Sequence, residues 1–270
     1  MNGQRVRAVM AKDLREIGAN PMVVIPMVIV PAVICVVIPT VILAVALGAG
    51  AARGVHGLDQ VEKLIVVYPV PAALTQPLHR MLYVILNYTF LPMFMIVPLM
   101  MSSLISANAI VGEKERRTLE TLLSTPLTNR ELIVSKLLVS FLPAVTLSWA
   151  VFGAFFLVTN AVSLAMIHQW IVHSWIWLPS LLLLSPSVSM IALSLTLLVS
   201  LKARTFQSAQ QVAALVVVPL VGVVFAQVTG AVILNVLYVV LASLVLFAVA
   251  AVLVLRVLPR FTREGIVSTL

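Results

Sequence analysis

The sequence predicts an all-α integral membrane protein with six transmembrane helices, an N-terminal interfacial amphipathic helix and a short cytoplasmic helix between spans 2 and 3. Three observations predict it. First, the 270 residues are 62% hydrophobic and 10% charged, where soluble domains run about 45–50% apolar and about 25% charged. Second, Asp, Glu, Lys and Arg are missing between Glu16 and Arg53, Arg80 and Glu113, Lys136 and Lys202, and Arg204 and Arg256. A membrane span takes about 20 mostly apolar residues. The first two stretches fit one span each, and the third (65 residues) and fourth (51 residues) fit two each. Third, the basic residues alternate by loop. Fourteen of the 17 Lys and Arg fall at the N-terminus, in 112–136, at 202–204 and in the C-terminal tail, and only Arg53, Lys63 and Arg80 fall in the other loops. Cytoplasmic loops carry the positive excess, so both termini are expected in the cytoplasm. The net charge of +8 is thereby explained by membrane topology, and nucleic acid is not an expected partner.

Residues 1–20 form the interfacial segment. Val6, Met10, Leu14 and Ile17 recur at spacings of four, four and three, with Arg5, Arg7, Lys12 and Arg15 on the other faces, the pattern of a helix lying on a membrane. The alternative is an ordinary charged extension before the first span. Early charges and the lack of a short apolar core predict no cleaved leader here.

Spans 1 and 2 occupy 21–108, at about 21–48 and 81–108. Span 1 carries Pro26, Pro31 and Pro39, which kink a helix interior, and the lone Cys35, which cannot form an intrachain disulfide. Spans 3 and 4 occupy 132–201, at about 132–159 and 175–201. Spans 5 and 6 occupy 205–256, at about 209–227 and 231–256, with a break at "QVTG" (227–230). One of this last pair has room to be a broken or re-entrant helix, which is tolerated when packed in protein. Residues 257–270 are the cytoplasmic tail.

Predicted spans hold no Asp or Glu. Such residues mark proton- and ion-coupled carriers, so that class is disfavoured. The spans carry neutral polar residues instead, among them Asn87, Asn160, Ser148, Ser185 and Thr196, which are expected to hold helices together. An apolar path with scattered neutral polar groups suits a lipophilic or amphiphilic substrate. His168 and His173, with Trp170, Trp175 and Trp177, fall in an outer turn. An aromatic belt with solvated histidines explains them better than a metal or haem site, because no Cys or carboxylate is near.

The segment 112–131 stands apart. It holds eight of the 26 charged residues: Glu113, Lys114, Glu115, Arg116, Arg117, Glu120, Arg130 and Glu131. A charge at the bilayer centre costs about 2.5–3.5 kcal/mol, so the segment cannot lie in lipid. Leu119, Leu122, Leu123 and Leu127 recur on one helical face. Glu113 and Arg117 have the order of a favourable i,i+4 pair. Pro126 ends the helix, and Thr128 with Glu131 forms a T-x-x-E capping box before span 3. A leucine face with charged flanks suits docking into a partner; the alternative is a helix lying on lipid with nothing bound.

"GEKERRTLETLLSTPLTNRELIVSKLL" (112–138) resembles the signature loop of permeases of the type-2 exporter class of ABC transporters. "FQSAQQVAALVVVPL" (206–220) is similar to a second stretch of that family. The resemblance implies a permease subunit of an ATP-driven exporter, in the plasma membrane, whose loop is a coupling helix entering a cleft of a separate ABC-type ATPase subunit. It implies ATPase-coupling roles for the motif residues Glu113, Glu115, Arg116, Thr118, Leu119 and Glu120; the apolar face adds Leu122 and Leu123. A six-span permease also implies a second copy or a paralogue, the usual solution being a twofold dimer. The sequence has no G-x-x-x-x-G-K-[ST] loop, so the permease is expected to be no enzyme and to bind no cofactor, with ATP held by the partner. A motor-independent membrane channel or scaffold remains the competing reading, and membrane lipid is a partner in either.

Overall fold

A computed structural model describes residues 3–50, 68–115, 128–202, 205–208, 211, 215, 217–228 and 231–257. All regular structure among them is helical. Helix α1 (Gly3–Gly18) precedes five helices long and apolar enough to cross a membrane. These are α2 (Pro21–Gly48), α3 (Pro77–Ala107), α4 (Asn129–Ile167), α5 (Trp177–Ser200) and α7 (Val236–Val257). Between the last two lies α6 (Val217–Val228), of 12 residues. At 1.5 Å per residue α6 spans about 18 Å, short of the roughly 30 Å hydrocarbon core. Five crossings are therefore described, and the sixth expected one, span 5 over 209–227, is a short helix over its described part. In the opposite direction, α4 runs 39 residues, about 58 Å, and extends past both ends of the expected span at 132–159.

Helix α3 is the central helix. Its apolar window is 83% buried, against 22% for α2, 22% for α4 and 17% for α7. It packs on α4 and α5, and α5 packs on α7. Aromatic rings lock the three inner helices: Phe94 of α3 lies 4.8 Å from Phe155 of α4 and 5.0 Å, edge to face, from Trp177 at the start of α5. Such pairs add about 0.5–1.5 kcal/mol beyond area burial.

Helical register changes beside some of the prolines, while Pro26 and Pro143 lie within unbroken α-helix. In α2, Pro31 is followed by a π-helical stretch, Ala32–Val37; α3 is π-helical over Ile85–Thr89 and restarts at Ile96 after Pro92. Pro removes a backbone donor and clashes with the preceding turn, so the ladder shifts register around it. Most hydroxyls in the spans do not bridge helices. Ser102, Ser140, Ser180, Ser187, Ser194, Thr196 and Ser200 donate to carbonyls three or four residues back in their own helix, the local alternative open to Ser and Thr. Cross-helix bonds are fewer: Ser185 to Ser148 at 3.2 Å, Ser189 to the Pro98 carbonyl at 3.5 Å, and Thr40 with Thr159 at 3.5 Å.

Two ends of the bundle result. At one, where α1 meets the starts of α2 and α4 and the end of α3, charged residues gather. At the other, the connection from His168 to Ile176 folds back over the helices, with Ile171 and Val172 fully buried.

Candidate coupling site

The charged end is built from the last turns of α3. Beyond Ala107 the backbone is π-helical over Asn108–Gly112 and then forms one turn, Glu113–Glu115. Gly112 sits hard against Asn108: a Cβ there would lie 3.1 Å from the Asn108 Oδ1.

Glu113 is the keystone of an ion network. Its Oε1 lies 3.0 Å from Lys12 Nζ of α1 and 2.8 Å from Lys136 Nζ of α4. Lys136 also donates to Asp13 Oδ2 at 2.8 Å. Lys12 stands 3.7 Å from both Asp13 and Glu16. Glu113, Asp13 and Lys136 are 2%, 3% and 5% exposed, so these are buried charges that face one another, although Asp13 Oδ1 makes no hydrogen bond among the described residues and lies 3.7 Å from Lys12 Nζ. Asp13, Glu16 and Glu113 offer oxygens within 4.8 Å of one another, a spacing a cation can bridge; the cations standing among them are Lys12 and Lys136. Burial pushes the Asp13 carboxyl above its ordinary 3.8, an effect only partly offset by Lys136. Burial pulls the Lys12 ammonium down, but the hydrogen bond to Glu113 and the charges of Glu113, Asp13 and Glu16 carry it above its ordinary 10.5.

These contacts reorient α1. Its buried side is Val6, Val9, Asp13 and Ile17, at spacings of three, four and four. Of the expected face, Val6 and Ile17 are buried, Met10 is half-buried and Leu14 is 41% exposed. The helix has turned to place Asp13 on Lys136. Ile17 packs with Val23, Leu104, Ile105 and Val139, so α1 docks on α2, α3 and α4 together.

Glu115 makes the second connection. It is exposed, and its Oε1 accepts from the Phe206 backbone N–H at 3.0 Å. Phe206 opens a capped turn in which the Thr205 and Ser208 backbone N–H groups donate to each other's hydroxyls at 3.3 and 3.2 Å. The Phe206 ring packs on Ala107 and Val111. The two stretches that carry the family resemblance, 112–138 and 206–220, therefore meet at this bond. On the far side of the segment, α4 begins with the expected capping box: Thr128 N–H donates to Glu131 Oε2 at 3.1 Å, and Glu131 N–H donates to Thr128 Oγ1 at 3.2 Å.

Of the eight candidate coupling residues, Glu113 and Glu115 are placed, and both contact this chain. Arg116, Thr118, Leu119, Glu120, Leu122 and Leu123 lie outside the described residues, as does Arg117, the expected partner of Glu113. Sequence reasoning missed Lys12, Asp13 and Lys136. The available signal was Asp13 itself, an acid at a core-facing helical position, and Lys136, a cation one turn inside a span.

The buried polar network at the opposite end is neutral. Asn160 Oδ1 accepts from the backbone N–H groups of Ile171 (3.1 Å) and Val172 (3.0 Å), and its amide donates to Val172 O at 2.9 Å. Asn87 donates to Tyr83 O and Ile171 O and accepts from Ser174 N–H and Trp177 Nε1. His168 ends α4 with φ of 55° and is exposed, as is His173, whose ring lies 5.4 Å from that of Tyr83. A cavity of about 530 Å³ opens here, lined by Tyr83, Tyr88, His173, Ser174 and Asn235 among others.

The arrangement is that of a helical membrane domain in which the root of a charged loop is tied to α1, to α4 and to the turn at Phe206. A search of curated proteins finds no match. A family model described as "ABC-2 family transporter protein" matches residues 7–248, and the chain belongs to that family as a multi-pass membrane permease of an ABC transporter.

Proposed function

We propose that the chain is the membrane subunit of an ATP-driven exporter in the plasma membrane, with both termini cytoplasmic. It pairs with a second copy or a paralogue to enclose the path of a lipophilic or amphiphilic substrate. The segment 113–124 docks into a separate ABC-type ATPase, through Leu119, Leu122 and Leu123 in an apolar cleft and Arg116 and Glu120 at its rim. Thr118 completes the motif at the contact. The observation that carries the reading is the anchoring of this segment's root. Glu113 binds α1 and α4 through Lys12 and Lys136, and Glu115 binds the turn at Phe206. Charge-assisted bonds of this kind are short and directional. A displacement that reached this root would act on α1, α3, α4 and the turn at Phe206. The exposed faces of α2 and α7 leave surface for lipid or a second permease.

The test uses the segment's apolar face, because buried anchors dominate such interfaces while rim charges set specificity and on-rate. Leu119→Asp is expected to abolish capture of the ATPase and ATP-dependent transport at unchanged membrane levels, and Arg116→Glu to weaken both. A helix lying on lipid would instead leave capture and transport largely unchanged in Leu119→Asp, and that result would sink the docking reading.

A further inference from the structure

Helix α1 has a second face that the coupling site does not use. Arg7, Ala11, Leu14 and Arg15 lie together on it, at successive spacings of four, three and one, and all four are exposed. Both acids of α1 are turned away: Asp13 is buried on Lys136, and Glu16 pairs with Lys12. Arg7 and Arg15 form no ion pair among the described residues. The helix is also held next to the apolar bundle. Only Ala19 and Asn20 separate it from α2, and Asn20 caps that helix by accepting from Met22 N–H at 3.1 Å. Met22 and Ile25 are 82% and 54% exposed, so the apolar outer wall of the bundle begins within one turn of α1. Two exposed arginines flanking an exposed leucine, at the rim of an apolar wall, match an anionic surface with hydrocarbon beneath it.

We propose that this face binds anionic phospholipid headgroups, and that this binding fixes how Lys12, on the adjacent flank of α1, sits on Glu113. Phosphate takes Arg through paired N–H donors, and Leu14 enters the acyl boundary beside it. The second half of the proposal rests on the coupling reading above; the first does not. Through α1, the lipid surface would stiffen the root of the coupling segment, so that coupling strengthens with the anionic fraction of the leaflet.

The test uses the full chain in nanodiscs of phosphatidylglycerol mixed with phosphatidylcholine of matched acyl chains. Lipids retained on the protein after mild detergent extraction are counted by mass spectrometry. Wild type should retain phosphatidylglycerol over phosphatidylcholine, and Arg7→Gln/Arg15→Gln should reduce that preference roughly 10- to 30-fold, from two surface arginines. Arg80→Gln, an exposed cation at the other end of the bundle, should leave it intact. Preference surviving in the double variant overturns the binding face. So does inorganic phosphate displacing the lipid at millimolar concentration, which would mark a simple anion site. Amide exchange at 113–115, followed in the same discs, should slow in phosphatidylglycerol for wild type only. Lipid preference without that slowing overturns the link to Glu113 while leaving the docking of the segment to the ATPase untouched.

Discussion

The two ends of this bundle each bury a polar network, and they do so with different chemistry. At one end three chain segments are tied by full charges: Lys12 and Asp13 of α1, Glu113 beyond α3, and Lys136 of α4. At the other, Asn87 and Asn160 tie a folded-back connection through neutral amides. The neutral network solves a backbone problem. The connection at 168–176 is not helical, yet Ile171 and Val172 are buried, and their N–H and C=O groups would otherwise have no partners in an apolar setting. An amide supplies donor and acceptor at once, with little desolvation cost, and it fixes one geometry. The charged network solves no backbone problem. Buried ion pairs contribute little net stability compared with apolar packing, but they are very costly to break from one side. Charges there make sense if the joint must be strong in one arrangement and able to exchange partners in another.

The largest expected effect follows from that asymmetry. Lys136→Met removes the cation shared by Asp13 and Glu113 and leaves two buried carboxylates facing each other with Lys12 alone. One-sided disruption of this kind costs about 3–5 kcal/mol. Thermal unfolding in detergent should show it as a marked loss of folded protein. Removing the whole group, as Asp13→Leu with Glu113→Gln and Lys136→Met, should recover much of the loss. If the single variant is as stable as wild type, the cluster is not a joint.

Asn160→Ala comes next. It strips two N–H groups and one carbonyl of their partner, and an unsatisfied buried group costs about 1–3 kcal/mol. Water at the bundle end can recover part of this, so about 2 kcal/mol is expected. The signature is local: amide exchange at Ile171 and Val172 should accelerate while the charged end is unchanged. Equal acceleration at both ends would mean that the networks are not independent.

The contrast also explains what could be read in advance. The five long apolar helices were legible because charge cannot enter lipid and charge-free stretches hold them. The capping box at Thr128 was legible because both members lie within four residues. The partners of Glu113 were not, since Lys12 is 101 positions away and Lys136 lies across the charged loop. Helical periodicity located α1 but rotated its face, because hydrophobicity alone cannot rank Asp13 above Leu14 as a core residue. Asn87 and Asn160 were expected to hold helices to each other; Asn87 does join α3 to α5 through Trp177 Nε1, but both also hold a loop, whose burial no periodicity reveals. The length of α6 was masked by an apolar run that continues well past the helix.

A smaller effect is set by pH. The Asp13 carboxyl is raised in the folded state above its ordinary 3.8, so the folded state binds the proton more tightly than the unfolded one. Asp13 therefore makes stability fall as pH climbs from 3.8 through the folded-state value. Asp13→Asn should lose that component, visible as a difference between the two stability curves in this window and a constant offset above it. Lys12 works at the other extreme: raised above 10.5, it contributes fully below that pH and is lost as pH rises through the higher folded value. A difference curve for Asp13→Asn that is flat just above pH 3.8 would show that Lys136 fully compensates its burial.

The smallest expected change in stability is at Glu115, and it isolates what the charged end does beyond holding together. Glu115 is exposed and makes one described bond, from the Phe206 N–H. Glu115→Ala should cost under about 1 kcal/mol, because water can take over that donor. Exchange of the Phe206 amide should nonetheless accelerate up to about fivefold, as for a hydrogen bond of ordinary strength. Glu115→Gln keeps a carbonyl acceptor at the same reach and should restore most of the protection. If the two resembling stretches act as one unit through this bond, Glu115→Ala should still capture the ATPase through the leucine face yet transport less per ATP hydrolysed, with Glu115→Gln intermediate. Lys136→Met cannot give that pattern, since it lowers the folded population and all activities fall together. If Glu115→Ala leaves the Phe206 amide as protected as in wild type, the bond does not join the two stretches, and the link between segment and membrane helices runs through Glu113 alone.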